Sequence, residues 1–150
     1  MKIVKKIVLV LLVAFVGIQF IPTKRNQSDT VPLTDFMLVS KVPNNIKNKL
    51  QVSCYDCHSN NTNYPWYNII QPVAWFLEDH INEGKAELNF SEWGSLSNRR
   101  KSSKLRSIIK QIESDKMPLE SYKSIHKDAE FSEEEKTTII QWITQLKDSL

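Results

Sequence analysis

Apolar residues follow three regimes along the chain. From Ile3 to Ile21 they run almost unbroken, and Gln19 is the only strongly polar side chain after Lys6. From Thr23 to about Asn45 they thin out around Pro32, Pro43 and the polar cluster Asn26-Gln27-Ser28-Asp29, which reads as a tether. Within it, Phe36 to Val39 is a short apolar patch expected to pack onto the following domain or to form a turn. Beyond Asn44 the apolar positions recur at spacings of three and four, the period of amphipathic helices. Asn44 or Asn45 caps a first helix carrying Ile46 and Leu50. A second runs from Ile69 to about Asn82, with Pro72 in its first turn and Val73, Phe76, Leu77, His80 and Ile81 on one side. Gly84 would end it in a left-handed conformation. Asn89 to Trp93 reads as a turn whose Ser91 caps a short helix, with Phe90 and Trp93 inward. A longer helix reaches about Ser114 on Leu105, Ile108, Ile109 and Ile112. The last starts at Ser132 with Glu135 completing a capping box and buries Ile139, Ile140, Trp142, Ile143 and Leu146. It is expected to pack against the helix that begins near Asn44. The pattern predicts an all-α protein: an N-terminal transmembrane or signal-anchor helix over 1–22, a linker over 23–43 and a helical domain over 44–150.

Composition agrees with helices, since three glycines are too few for the turns of an all-β fold. The formal charge of +3 is accounted for by Lys2, Lys5 and Lys6, which precede the apolar run. The body is therefore formally neutral, with no global field for nucleic acid. Those lysines should stay in the cytoplasm and send the remainder outward. Ile3 to Ile21 is nineteen residues, just the length of a membrane-spanning helix. A cleaved signal would want paired small residues after the run. Gln19-Phe20-Ile21-Pro22 stands there instead, which favours an uncleaved anchor.

The chemistry centres on Cys54-Tyr55-Asp56-Cys57-His58. A Cys-x-x-Cys-His run is the pattern of covalent haem attachment. The two thiols add across the porphyrin vinyls, and the adjacent imidazole ligates the iron on its proximal side. A redox dithiol, half of a zinc site and a structural disulfide are the competing readings. An export segment suits haem, which is attached outside the cytoplasm in bacteria. Tyr64, Trp66 and Tyr67 follow closely, either as ordinary core or as walls of the porphyrin. Met117 precedes Pro118 on a loop, because proline disfavours helix in the residue before it. Its thioether is the expected distal iron ligand, with His80 the alternative; Met37 and His126 are weaker ones. The basic stretch Arg99 to Arg106 is a solvated helix face, or it offsets haem propionates or docks an acidic redox partner.

Together these residues resemble the bacterial haem-binding domain family, small exported proteins with a single Cys-x-x-Cys-His site. The likeness rests on Gln19 to Pro22, Cys54 to His58, Ser59-Asn60 and Tyr64 to Tyr67. It continues through Asp79-His80-Ile81 before Gly84, Asn89 to Trp93, Met117-Pro118 with Tyr122 and His126, and Ser132 to Trp142. More distantly the chain is similar to class I cytochrome c. That likeness implies a small cytochrome c-like domain enclosing one covalent haem c, with Cys54 and Cys57 as thioether residues, His58 proximal and Met117 distal. Leu119 stands where many relatives have a second proline, a mild departure. The expected function is a membrane-anchored monohaem protein of the bacterial inner membrane that passes single electrons between periplasmic or membrane redox proteins and is not an enzyme. The alternatives are a haem-based sensor or peroxidase-like enzyme with an open or displaceable distal site, and a haem-carrying accessory subunit of a membrane complex.

Overall fold

The computed structural model describes residues 2–28 and 30–150; Met1 and Asp29 lie outside them. The described chain is helical without strands, as the apolar periodicity predicts. Helix α1 (Lys2–Ile18) is the unbroken apolar run, and it stands clear of the domain with no buried residue. Three tighter bonds, Gln19 to Val16, Phe20 to Gly17 and Ile21 to Ile18, extend its last turns. Its 17 residues give a length of about 26 Å against a hydrocarbon core of about 30 Å. Among the described residues, no helix is long and apolar enough to cross a membrane.

The stretch 23–43, read as a linker, lies along the domain. Asn26 donates from Nδ2 to the Ser59 carbonyl and to Thr62 Oγ1, at 2.8 and 2.9 Å. Further on, α2 (Phe36–Val39) is capped by the Asp35 carboxylate, which accepts from the Met37 N–H at 2.9 Å. Phe36 is fully buried among the rings of Phe90, Trp93 and Trp142, at 5.0, 4.9 and 5.8 Å between centroids. The apolar patch thus packs onto the domain as expected, and it supplies the centre of the core, because one buried aromatic outweighs several solvated neighbours in the area it removes from water.

Helix α3 (Asn44–Leu50) follows Pro43, which takes the cap position without a side-chain cap bond, so neither Asn44 nor Asn45 serves as predicted. It buries Ile46 and Leu50 as the spacing requires. It then runs on through a wider π-helical turn (Gln51–Tyr55) into the single turn α4 (Asp56–His58). After a loop and a 3₁₀ turn (Trp66–Ile69), α5 spans Val73–Glu87. Its buried positions are Ala74, Glu78 and Ile81, so the helix is rotated from the predicted face and Val73, Phe76 and His80 are exposed. The reason is polar. Glu78 goes inward because its carboxylate accepts the Tyr64 O–H at 2.6 Å.

A second 3₁₀ turn (Phe90–Ser95) is capped by Asn89, whose side chain accepts from the Ser91 N–H; Ser91 itself is buried within the turn rather than capping it. Then α6 (Asn98–Glu113) buries Leu105 and Ile112, and α7 (Glu120–Ile125) follows the Met117 loop. Finally α8 (Glu133–Asp148) starts with the predicted Ser132–Glu135 capping box. It lies mainly on α6 and only partly on α3.

Candidate functional site

The Cys-x-x-Cys-His residues begin inside the π-helical turn, where Cys54 lies, and end in α4 with Cys57 and His58. Such turns widen the helix by one residue and are frequent at functional sites. Ser53 fixes this one by donating to the Ala129 carbonyl at 2.9 Å.

Helix α5 crosses α4 at Gly84, where a Cβ would sit 2.6 Å from the Cys57 carbonyl oxygen. Gly84 does not end α5, which continues three residues to Glu87, and its φ is not positive. Its role is close approach: with no side chain between the backbones, the Gly84 carbonyl comes within 2.8 Å of His58 Nδ1. The Leu88 carbonyl lies 3.0 Å from the same atom. Carbonyls only accept, so Nδ1 carries the imidazole proton and donates, and Nε2 keeps its lone pair free. Burial holds the His58 pKa below its ordinary value, so the ring is neutral and able to act as a ligand.

Two adjoining cavities of about 290 and 370 Å³ meet at Ser53, Cys54, His58, Glu87, Met117 and Pro118. Cys57, His80, Gly84 and Tyr122 line the smaller; Lys104, Gln111, Ile112 and Phe131 line the larger. The two thiols are free. Burial, first of all, pushes Cys54 up to about 12 and Cys57 up to about 11, with Cys57 and Asp56 respectively adding repulsion. A redox dithiol works through a thiolate of depressed pKa, so this environment is the opposite of the one it needs.

The chain matches the model of the haem-binding domain family over residues 13–145. It belongs to that family. No curated protein and no solved structure matches it.

The residues fit the haem that the family binds. One neutral imidazole presents a free Nε2, two cysteines flank it, and a thioether shares its cavity. Among the sites predicted for haem, the structure brings Cys54, Cys57, His58 and Met117 together. His80 joins them on the rim of the smaller cavity, where its Nδ1 donates to the Phe76 carbonyl at 2.7 Å.

It does not bring Tyr64, Trp66 and Tyr67 to either cavity. The Tyr64 hydroxyl, its pKa pushed up to about 12 by burial and by Glu78, instead ties the 23–43 strap to α5. Trp66 is 77% exposed. Tyr67 O–H reaches His126 Nε2 at 2.9 Å, and His126 stacks on Tyr122 at 4.3 Å, which takes that histidine out of the site. Met37 lines a different cavity, beside Asp35 and Tyr55.

The aromatics that do approach are Phe90, Phe131 and Tyr122. Tyr122 donates to Asp56 Oδ2 at 2.7 Å and so fastens α7 to the motif. Lys104, from the basic stretch already read as able to offset propionates, lines the larger cavity with Ser107 and Gln111, which the sequence had not marked. Their spacing of three and four beside the Leu105–Ile108–Ile112 stripe was the available signal. Lys104 donates to the Glu87 carbonyl, so one cation of the basic stretch stands at the cavity and the run is more than a solvated face.

Proposed function

We propose that this protein is a monohaem c-type electron carrier held at the bacterial inner membrane. One haem c is joined by thioether bonds, each S–H of Cys54 and Cys57 adding across one vinyl C=C without a leaving group. His58 Nε2 and the Met117 sulfur would hold the iron. The observation that supports this best is His58 Nδ1, anchored by two carbonyls of α5, with Met117 lining the same cavities.

A bound haem supplies the one-electron Fe(III)/Fe(II) couple. The chain does the rest. The Gly84 and Leu88 carbonyls keep the His58 ring at one angle and raise its basicity. The Tyr122 O–H holds the Asp56 carboxylate, between the two cysteines, in a hydrogen bond. Lys104 places a positive charge at the larger cavity, where it would offset a haem propionate. If His58 and Met117 both held the iron, no position would be left for substrate, so single-electron transfer to periplasmic or membrane redox proteins suits the site better than catalysis. Helix α1, basic at its start and apolar after it, is the anchor that leaves the domain in the periplasm.

The test is the haem-loaded full chain. Haem should stay with the polypeptide through denaturing electrophoresis, and the denatured mass should exceed the apo mass by one haem. Free thiols at Cys54 and Cys57 in the loaded protein would overturn covalent attachment. Met117 is 36% exposed on a loop, and His80 lines the same cavity, which favours a second reading as a sensor or peroxidase-like enzyme with a displaceable distal ligand. Rapid binding of carbon monoxide by the reduced protein would select it.

A further inference from the structure

The end of α1 is bolted to the domain at one point. Gln19 Nε2 donates to the Gln71 carbonyl at 3.0 Å, and the Gln71 N–H donates to Gln19 Oε1 at 3.0 Å. Gln71 Nε2 then donates to the Ile21 carbonyl at 3.1 Å. Three bonds between two short segments fix direction as well as distance, so α1 leaves the domain beside Gln71.

Gln71 is also the middle of the most apolar exposed stretch of the domain. Before it, Trp66 and Ile69 share one side of a 3₁₀ turn, since residues three apart eclipse there. After it, Val73 and Phe76 lie three apart on the first turn of α5. Ile69 is 71% exposed and Phe76 65%, while Ile70 and Val73 are also open to solvent. Burying the predicted α5 stripe would have covered Val73 and Phe76; the inward turn of Glu78 leaves them outside. Phe20 and Ile21 extend the same surface, and exposed Lys24 and Arg25 follow them.

We propose that segment 66–76 with Phe20 and Ile21 is a membrane-seating surface whose occupant is the phospholipid bilayer. This rests on the reading of α1 as an anchor and deepens it. With its lysines at the headgroups, the apolar part of α1, residues 7–18, is about 18 Å long, and the tighter turn to Ile21 adds about 6 Å. That still falls short of the hydrocarbon thickness of about 30 Å, and the shortfall lies at its domain end or its basic end. The basic end is pinned by Lys2, Lys5 and Lys6 at the headgroups. The domain end carries an apolar surface continuous with the helix, an indole at its edge and two cations beyond. That is the order of a membrane interface, with hydrocarbon first, aromatic belt second and anionic headgroups third. Seated this way, the domain presents one fixed face of its haem cavities to partners.

The experiment uses the full haem-loaded chain in nanodiscs of phosphatidylcholine and phosphatidylglycerol containing a lipid with a diazirine at a shallow acyl position. Adducts are mapped by mass spectrometry. Adducts are expected on α1 and also on 66–76, chiefly Trp66, Ile69 and Phe76. The double variant Gln19→Ala/Gln71→Ala should lose those on 66–76 several-fold while keeping those on α1. Adducts confined to α1 would overturn the seating surface and leave the anchor standing. Protein–protein crosslinks through 66–76 in place of lipid adducts would overturn it in favour of a second copy as occupant. A chain free of adducts on α1 and washed off membranes by carbonate would overturn the anchor reading, and the seating surface with it.

Discussion

Replacing Gly84 by alanine probes the link between helix crossing and the site. The new Cβ would sit 2.6 Å from the Cys57 oxygen and 3.2 Å from its Cβ, where ordinary contact begins at 3.4 Å. Both obstacles belong to the motif itself, one of them backbone, so no flexible side chain can move aside. Helices α4 and α5 must separate by about 0.8 Å, and such overpacking costs about 1–3 kcal/mol. Alanine returns up to about 1 kcal/mol of helix propensity, which leaves a net loss of up to about 2 kcal/mol. Urea unfolding followed by circular dichroism measures it. The separation also draws the Gly84 carbonyl away from His58 Nδ1 at 2.8 Å. A less basic imidazole stabilises ferric iron less, so the reduction potential of the loaded protein should rise. Gly17→Ala, also helical but with nothing within 4 Å of its added Cβ, is the control: it gains helix propensity without a clash and should not destabilise the protein or change the potential. A Gly84→Ala protein as stable as the parent, with unchanged potential, would refute the account of Gly84 as the residue that delivers its carbonyl to His58.

Two further outcomes are expected. Met117→Ala should abolish the thioether–iron charge-transfer band and let the reduced protein bind carbon monoxide, whereas His80→Ala should leave the spectrum unchanged; the reverse pattern would move the distal ligand to His80. The Asp115–Lys136 pair, 2.6 Å apart, ties the loop before Met117 to α8, and Lys136 holds the Asp115 pKa below its ordinary 3.8. A depressed carboxylate stabilises above its unfolded pKa and loses that contribution as pH falls through the folded one. Amide exchange at 115–117 should therefore be unaffected by the pair's titration above pH 3.8 and faster below it, and Lys136→Met should remove that pH step.

Where local chemistry acts alone, the sequence was easy to read. The Ser132–Glu135 box starts α8, the Leu105–Ile112 stripe buries α6, and Ile46 with Leu50 face inward from α3. The errors share a cause. Gly84 was read as a helix end because a glycine late in an apolar pattern usually marks one, yet it was needed where two backbones meet. The α5 stripe was assigned by hydrophobicity, yet Glu78 won the inward position because Tyr64 could satisfy its carboxylate. The patch at Phe36 was expected to pack onto the domain and does, while Tyr64, Trp66 and Tyr67, read as core or as walls of the porphyrin, line neither cavity.

By itself the sequence pointed to haem, which the family bears out, because two thiols and an imidazole stand at fixed short spacing on one stretch of chain. It also determined the helical class, because spacing of three and four is a local property. Only the tertiary structure decided which nitrogen of His58 is free, because that depends on carbonyls 26 and 30 residues away. It likewise brought Met117, Lys104 and Tyr122 to the cavity and left Trp66 and Phe76 outside. Those placements follow from how the helices cross, and a crossing is set by the shapes and buried polar groups of both partners together.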